Sequence, residues 1–163
     1  MAIDIGIMVI FDGEKEAIKK LLDSLEGKEG FDFNKLIPMP ESVYKGPLGL
    51  EEKAKYKDDN WYDWSTKNWG TKWNCYEQKR LSENEIKFMT ANSVPIPVLE
   101  KLAEICARKN INFDGLWAAE MPEDRDSGSF EARNGILSVY PDEDTEDSRN
   151  TFKTIWGVDP EEE

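Results

Sequence analysis

Histidine is absent from the 163 residues. Without imidazole there is no Ser-His-Asp or Cys-His nucleophile arrangement, and no zinc site with a histidine ligand. Cysteine is scarce: Cys75 and Cys106 are too few for a four-thiolate metal site or a disulfide framework, and they point to a reducing cytosol. No Gly-Lys-Ser/Thr phosphate loop occurs, and no Gly-x-Gly-x-x-Gly follows a strand-like run. No apolar run approaches the roughly 18 residues that a membrane span requires. The start, Met1-Ala2-Ile3-Asp4, lacks a basic n-region, so no signal peptide is expected. Basic residues are the minority, 21 against 34 acidic ones, for a net charge of −13. What the absences leave open is carboxylate chemistry or a hard, oxygen-liganded metal, and in so acidic a chain pairs of carboxylates arise by abundance alone. A calcium loop starting at Asp142 fails on spacing. The EF-hand needs Gly at its sixth position and Glu at its twelfth, where this chain has Asp147 and Lys153. No enzyme activity, catalytic residue, metal or cofactor is expected.

What is present suits one globular domain. Hydrophobic residues make up 39%, and six Trp, seven Phe and five Tyr supply large apolar side chains to bury. Ile3, Ile5, Ile7, Val9 and Phe11 alternate along the first segment, which predicts a strand, and Met8 and Ile10 on its other face make that strand central. Asp12 is placed to cap the helix that follows, with Ala17, Ile18, Leu21, Leu22 and Leu25 as its apolar stripe and Gly27 as its stop. Phe31-Asp32-Phe33-Asn34 reads as a short edge strand, an open edge where a second copy could pair, before Pro38 and Pro40 turn it away. Ile86 to Thr90 reads as a strand. Pro95 and Pro97 open a second helix with the stripe Leu99, Leu102, Ala103 and Cys106. Ile111 to Trp117 reads as strand, and Asn134-Gly135 between 129–133 and 136–140 is the strongest short hairpin signal in the chain. The order predicts an α+β, ferredoxin-like antiparallel sheet with two helices on one face. Its domain covers 1–140 with a Trp-rich insertion at 38–80, followed by an acidic extension at 141–163. There Phe152, Ile155 and Trp156 stand at helical spacing and predict a short amphipathic helix docked on the body.

The central segment holds the least ordinary composition. Trp61, Trp64, Trp69 and Trp73 fall within thirteen residues, and 45–80 carries a local charge of +2. Large aromatics usually pack into a core. The alternative is a surface that stacks single-stranded bases on these four rings, with Lys67 and Lys72 on phosphates.

Three motifs carry a family resemblance. They are Phe31-Asp32-Phe33-Asn34-Lys35-Leu36-Ile37-Pro38-Met39-Pro40, then Trp64 with Asn68-Trp69-Gly70-Thr71-Lys72-Trp73, then Thr90-Ala91-Asn92-Ser93-Val94-Pro95-Ile96-Pro97. In this order the chain resembles the small phage- and plasmid-encoded family with a YubB-type (Api-phage-like) ferredoxin-like domain. The likeness spans roughly residues 1–140. It implies a mobile-element origin and a fold, and it brings no established reaction or catalytic residue.

Charge is the second signal. The last 23 residues carry a net charge of −7. Glu120, Glu123, Asp124 and Asp126 fall in one predicted loop, and Asp142, Glu143, Asp144, Glu146 and Asp147 follow the hairpin. Such carboxylates serve solubility in many acidic proteins. Projected from one end of a compact body, they also repel nucleic acid and attract proteins whose own groove is basic. The expectation is therefore a cytoplasmic phage or mobile-element protein that acts as a DNA mimic or anti-CRISPR-like inhibitor. It would bind a basic, nucleic-acid-binding host or defence protein, such as a CRISPR effector, through these nine acids, without touching membrane or nucleic acid itself.

Overall fold

The computed structural model describes residues 2–121 and 126–158. Among these residues the fold is α+β, with a six-stranded antiparallel sheet, a two-stranded ribbon and five α-helices. In chain order they are β1 (Asp4–Asp12), α1 (Lys15–Ser24), β2 (Glu26–Gly27), β3 (Gly30–Phe31), α2 (Leu50–Tyr56), α3 (Trp61–Asn68), β4 (Tyr76–Ser82), β5 (Glu85–Ala91), α4 (Ile96–Arg108), β6 (Asn112–Ala119), β7 (Ser127–Arg133), β8 (Ile136–Pro141) and α5 (Thr145–Trp156). The large sheet runs β4-β5-β1-β6-β7-β8, and β2 pairs only with β3. Among the described residues no helix is long and apolar enough to cross a membrane.

The alternation in β1 explains its place. Ile5, Ile7, Val9 and Phe11 are each at most 1% exposed, and they share one core with Ile18, Leu21 and Leu22 of α1 and with Leu99, Leu102, Ala103 and Cys106 of α4. Burying each such side chain contributes about 1.5–3 kcal/mol. On the other face of the sheet Met8, Leu116 and Ala118 receive Phe152, Ile155 and Trp156 of α5. The Trp156 Nε1 donates to the Ala118 carbonyl at 3.1 Å, and the Lys87 ammonium donates to the carbonyl of Ile155, where α5 has orphan acceptors. Asn134 and Gly135 both take positive φ, 54° and 85°, as the tight turn between β7 and β8 requires.

Several local expectations give way. Asp12 ends β1 instead of capping α1, whose N-cap is Glu14 with no side-chain cap bond. Gly27 lies in the β2–β3 ribbon, because α1 has already stopped at Ser24. Of the expected 31–34 strand only Phe31 lies in a strand, paired as part of β3. The Asp32 carboxylate accepts from the Asn34 amide at 2.9 Å and starts a 3-10 turn over Phe33–Lys35. The segment 38–80, for which the sequence pattern predicts no regular element, holds α2 and α3, and β4 from Tyr76 belongs to the main sheet.

Candidate functional site: an acidic end of the sheet

Antiparallel pairing brings four strand ends to the same edge of the molecule. Ile5 sits opposite Ala119, Ala118 opposite Ser127, and Gly128 opposite Pro141. Asp4, Glu120, Asp126 and Asp142 therefore follow one another across β1, β6, β7 and β8, at the strand spacing of roughly 4.8 Å. Each is tied to the backbone of its neighbour or to a nearby side chain. Asp4 N donates to Glu120 Oε1 at 3.1 Å, and Glu120 N donates to the Asp4 carbonyl at 2.9 Å. Trp117 Nε1 donates to Asp126 Oδ1 at 2.9 Å. The Ser127 hydroxyl donates to Asp142 Oδ2 at 2.8 Å and lies 3.0 Å from Ser148 Oγ on α5. The Tyr76 hydroxyl donates to Asp4 Oδ1, and burial, then this bond, push the phenol well above its usual range.

Helix α5 starts at the same end. Asp144 is its N-cap and accepts from the Asp147 amide at 2.8 Å; Glu146 and Asp147 occupy the first turn, where negative charge faces the positive end of the helix dipole. The acids still crowd one another. Asp144 chiefly, with some burial and with Asp142 and Glu146 beyond, holds the Asp147 carboxyl above the ordinary carboxylate range. The ionised form of Asp147 thus costs the fold stability at neutral pH, and the cost fades as pH falls through its raised value. Asp147→Asn is expected to match or exceed the native chain in thermal midpoint at neutral pH, and to lose that advantage below the carboxylate range. A lower midpoint for the variant at neutral pH would contradict the crowding.

Of the nine predicted partner-binding acids, Glu120, Asp126, Asp142, Glu143, Asp144, Glu146 and Asp147 share this end; Glu123 and Asp124 lie outside the described residues. Asp4 and Tyr76 belong here too and were not predicted. The missing signal was strand order, since Asp4 and Glu120 are 116 positions apart. Among the described residues no three carboxylates or thiols converge as a metal cage, so these acids form a spread surface. Elsewhere among the described residues Arg80 holds Asp23 and Glu26, and Arg133 holds Asp114 and Glu131.

The four tryptophans of the alternative stacking surface are not equally open. Trp69 is 3% exposed, packs edge-on to Phe33 and Trp64, and donates its Nε1 to the Ile37 carbonyl at 2.8 Å. Trp64 is half-buried against the main core, and Trp61 is tied by its Nε1 to the Gly46 carbonyl at 2.9 Å. Only Trp73 presents much ring, and the Lys72 ammonium lies 4.7 Å from that ring's centroid; Lys67 is exposed on α3. Burial pushes both thiols, Cys75 and Cys106, up to about 12, which makes them inert side chains of the core.

The fold and this end define an α+β protein with an acidic pole. No family model, no curated protein and no solved structure matches the chain.

Proposed function

We propose that the chain is a non-enzymatic protein of a phage or other mobile element that docks its acidic pole into the basic groove of a nucleic-acid-binding host or defence protein and blocks that groove. The observation that carries this reading is the row Asp4, Glu120, Asp126 and Asp142 across four adjacent strand ends, continued by Asp144, Glu146 and Asp147 on α5. A row of fixed carboxylates offers Arg and Lys the charge-assisted bonds that a phosphate backbone would offer. The strand order β4-β5-β1-β6, with α1 and α4 as crossovers over one face, supports a ferredoxin-like core to which β7 and β8 are added. That reading agrees with the resemblance to the YubB-type family.

The test uses the full chain as bait in a bacterial lysate. A nucleic-acid enzyme is expected on the beads, released by salt or by duplex DNA. A variant with Asp142→Asn, Glu143→Gln, Asp144→Asn, Glu146→Gln and Asp147→Asn keeps the helix cap, because Asn caps as well as Asp. It is expected to bind that enzyme at least about tenfold more weakly, since each bond to a charged group contributes roughly 1.5–3 kcal/mol. Unchanged affinity and unchanged salt dependence would refute the reading.

A further inference from the structure

We infer that β8 is the contact edge of a twofold dimer, in which a second copy of this chain adds its own β8 antiparallel to the first. β8 closes one side of the large sheet. Its six residues, Ile136 to Pro141, carry no charge in a chain that is 34% charged, and Ile136, Val139 and Tyr140 are 69%, 37% and 51% exposed. Long, flat, apolar edges recruit another strand, and proteins protect the edges that must stay free. The opposite edge shows that protection. β4 has two register irregularities and exposes Glu77, Lys79 and Arg80, whereas the β7–β8 ladder is unbroken from Gly128↔Pro141 to Arg133↔Ile136. Of residues 31–36, the edge expected from the sequence, only Phe31 is in a strand, already paired with β2, and Phe33–Lys35 form a 3-10 turn.

The occupant follows from the register. A two-residue turn makes Arg133 and Ile136 a hydrogen-bonded pair, so Ile136, Ser138 and Tyr140 direct their backbone groups to β7. Leu137 and Val139 then direct N–H and C=O outward, while Pro141 offers only its carbonyl. A second β8 matches this row when the twofold axis passes at Ser138. Leu137 of each copy then faces Val139 of the other and exchanges two hydrogen bonds with it. Ile136 faces Tyr140, an aliphatic–aromatic pair of the kind that stabilises antiparallel ladders. Charge permits the same arrangement. Asp142 of each copy meets the uncharged Asn134-Gly135 turn of the other, next to an Arg133 that Asp114 and Glu131 already hold. The two acidic poles point in opposite directions, as two chains of net charge −13 require. The groove between α4 and this edge, with Ile37, Pro97 and Leu137 as its apolar lining, lies on the side where Val139 of the second copy falls.

Sedimentation of the full chain across a concentration series, at moderate salt, tests the inference. The native chain is expected to show a monomer–dimer equilibrium. Ser138→Lys sets two ammonium groups against each other across the axis and is expected to weaken the dimer at least about tenfold. Ser138→Glu should do the same, and an equimolar mixture of the two variants should restore the dimer. Val139→Pro removes one outward donor without breaking a β7 bond and should also abolish it. A native chain that stays monomeric to its solubility limit, with the edge left to a foreign strand, overturns the inference. So does a dimer indifferent to Ser138→Lys and Val139→Pro, or a Lys–Glu mixture that stays monomeric.

Discussion

Trp69→Ala is expected to remove about 3–5 kcal/mol of stability, the cost of deleting a large buried aromatic. The indole is 3% exposed and stands edge-on between Phe33 and Trp64, with centroids 5.8 and 5.0 Å away. Phe33 in turn meets Phe88 of β5 at 5.9 Å, so Trp69 is the link between the α3 segment and the sheet. Its loss also strips the Ile37 carbonyl of the indole N–H that satisfies it. Since a domain of this size is stable by only about 5–15 kcal/mol, the variant should unfold at far lower urea. Trp69→Phe, which keeps much of the volume but not the donor, should fall between the two. Trp73→Ala is the control, because that ring is 39% exposed. Equal urea midpoints for Trp69→Ala and Trp73→Ala would contradict the packing described.

Gly6→Ala is expected to lift α5 off the sheet at a cost of about 1–3 kcal/mol, the usual range for overpacking. A Cβ at Gly6 would stand 2.4 Å from Ile155 Cγ2 and 3.3 Å from Trp156 Cζ2. The helix has to move outward, and the bonds from Lys87 to the Ile155 carbonyl and from Trp156 to the Ala118 carbonyl stretch with it. Hydrogen exchange is the measurement: amides of 145–156 should exchange faster while β1, β5 and β6 stay protected. Because α5 carries Asp144, Glu146 and Asp147, the variant should also bind a basic partner less tightly. Unchanged exchange across α5 would mean that the close approach at Gly6 does not hold the helix.

The elements legible in the sequence are those whose burial follows a simple period. β1, α1, α4 and α5 each show an apolar stripe or alternation that the structure buries, and the hairpin is announced by the positive φ that Asn134 and Gly135 tolerate. α2 has no buried residue, so no stripe could announce it, and α3 fully buries only Ser65. Trp69, at the end of α3, takes its place from Phe33 and Ile37, more than thirty positions earlier, which no local pattern encodes. β4 is a solvated edge whose side chains do not alternate between buried and exposed along its length. For the acidic pole, the acids of 142–147 were visible by count alone. The inclusion of Asp4 depended on β1 lying beside β6.

That position of β1 also sets a clock. Its two neighbours, β5 and β6, occupy residues 85–91 and 112–119, so the strand at the centre of the sheet is synthesised long before either. At roughly 5–20 residues per second, a nascent β1 waits on the order of 5–20 s for both partners. During that interval α1 first, and α4 only shortly before β6, can cover Ile5, Ile7, Val9 and Phe11, and the opposite face, Met8 included, waits longer still for α5. The strand on which the rest is assembled is thus the first made and the last enclosed.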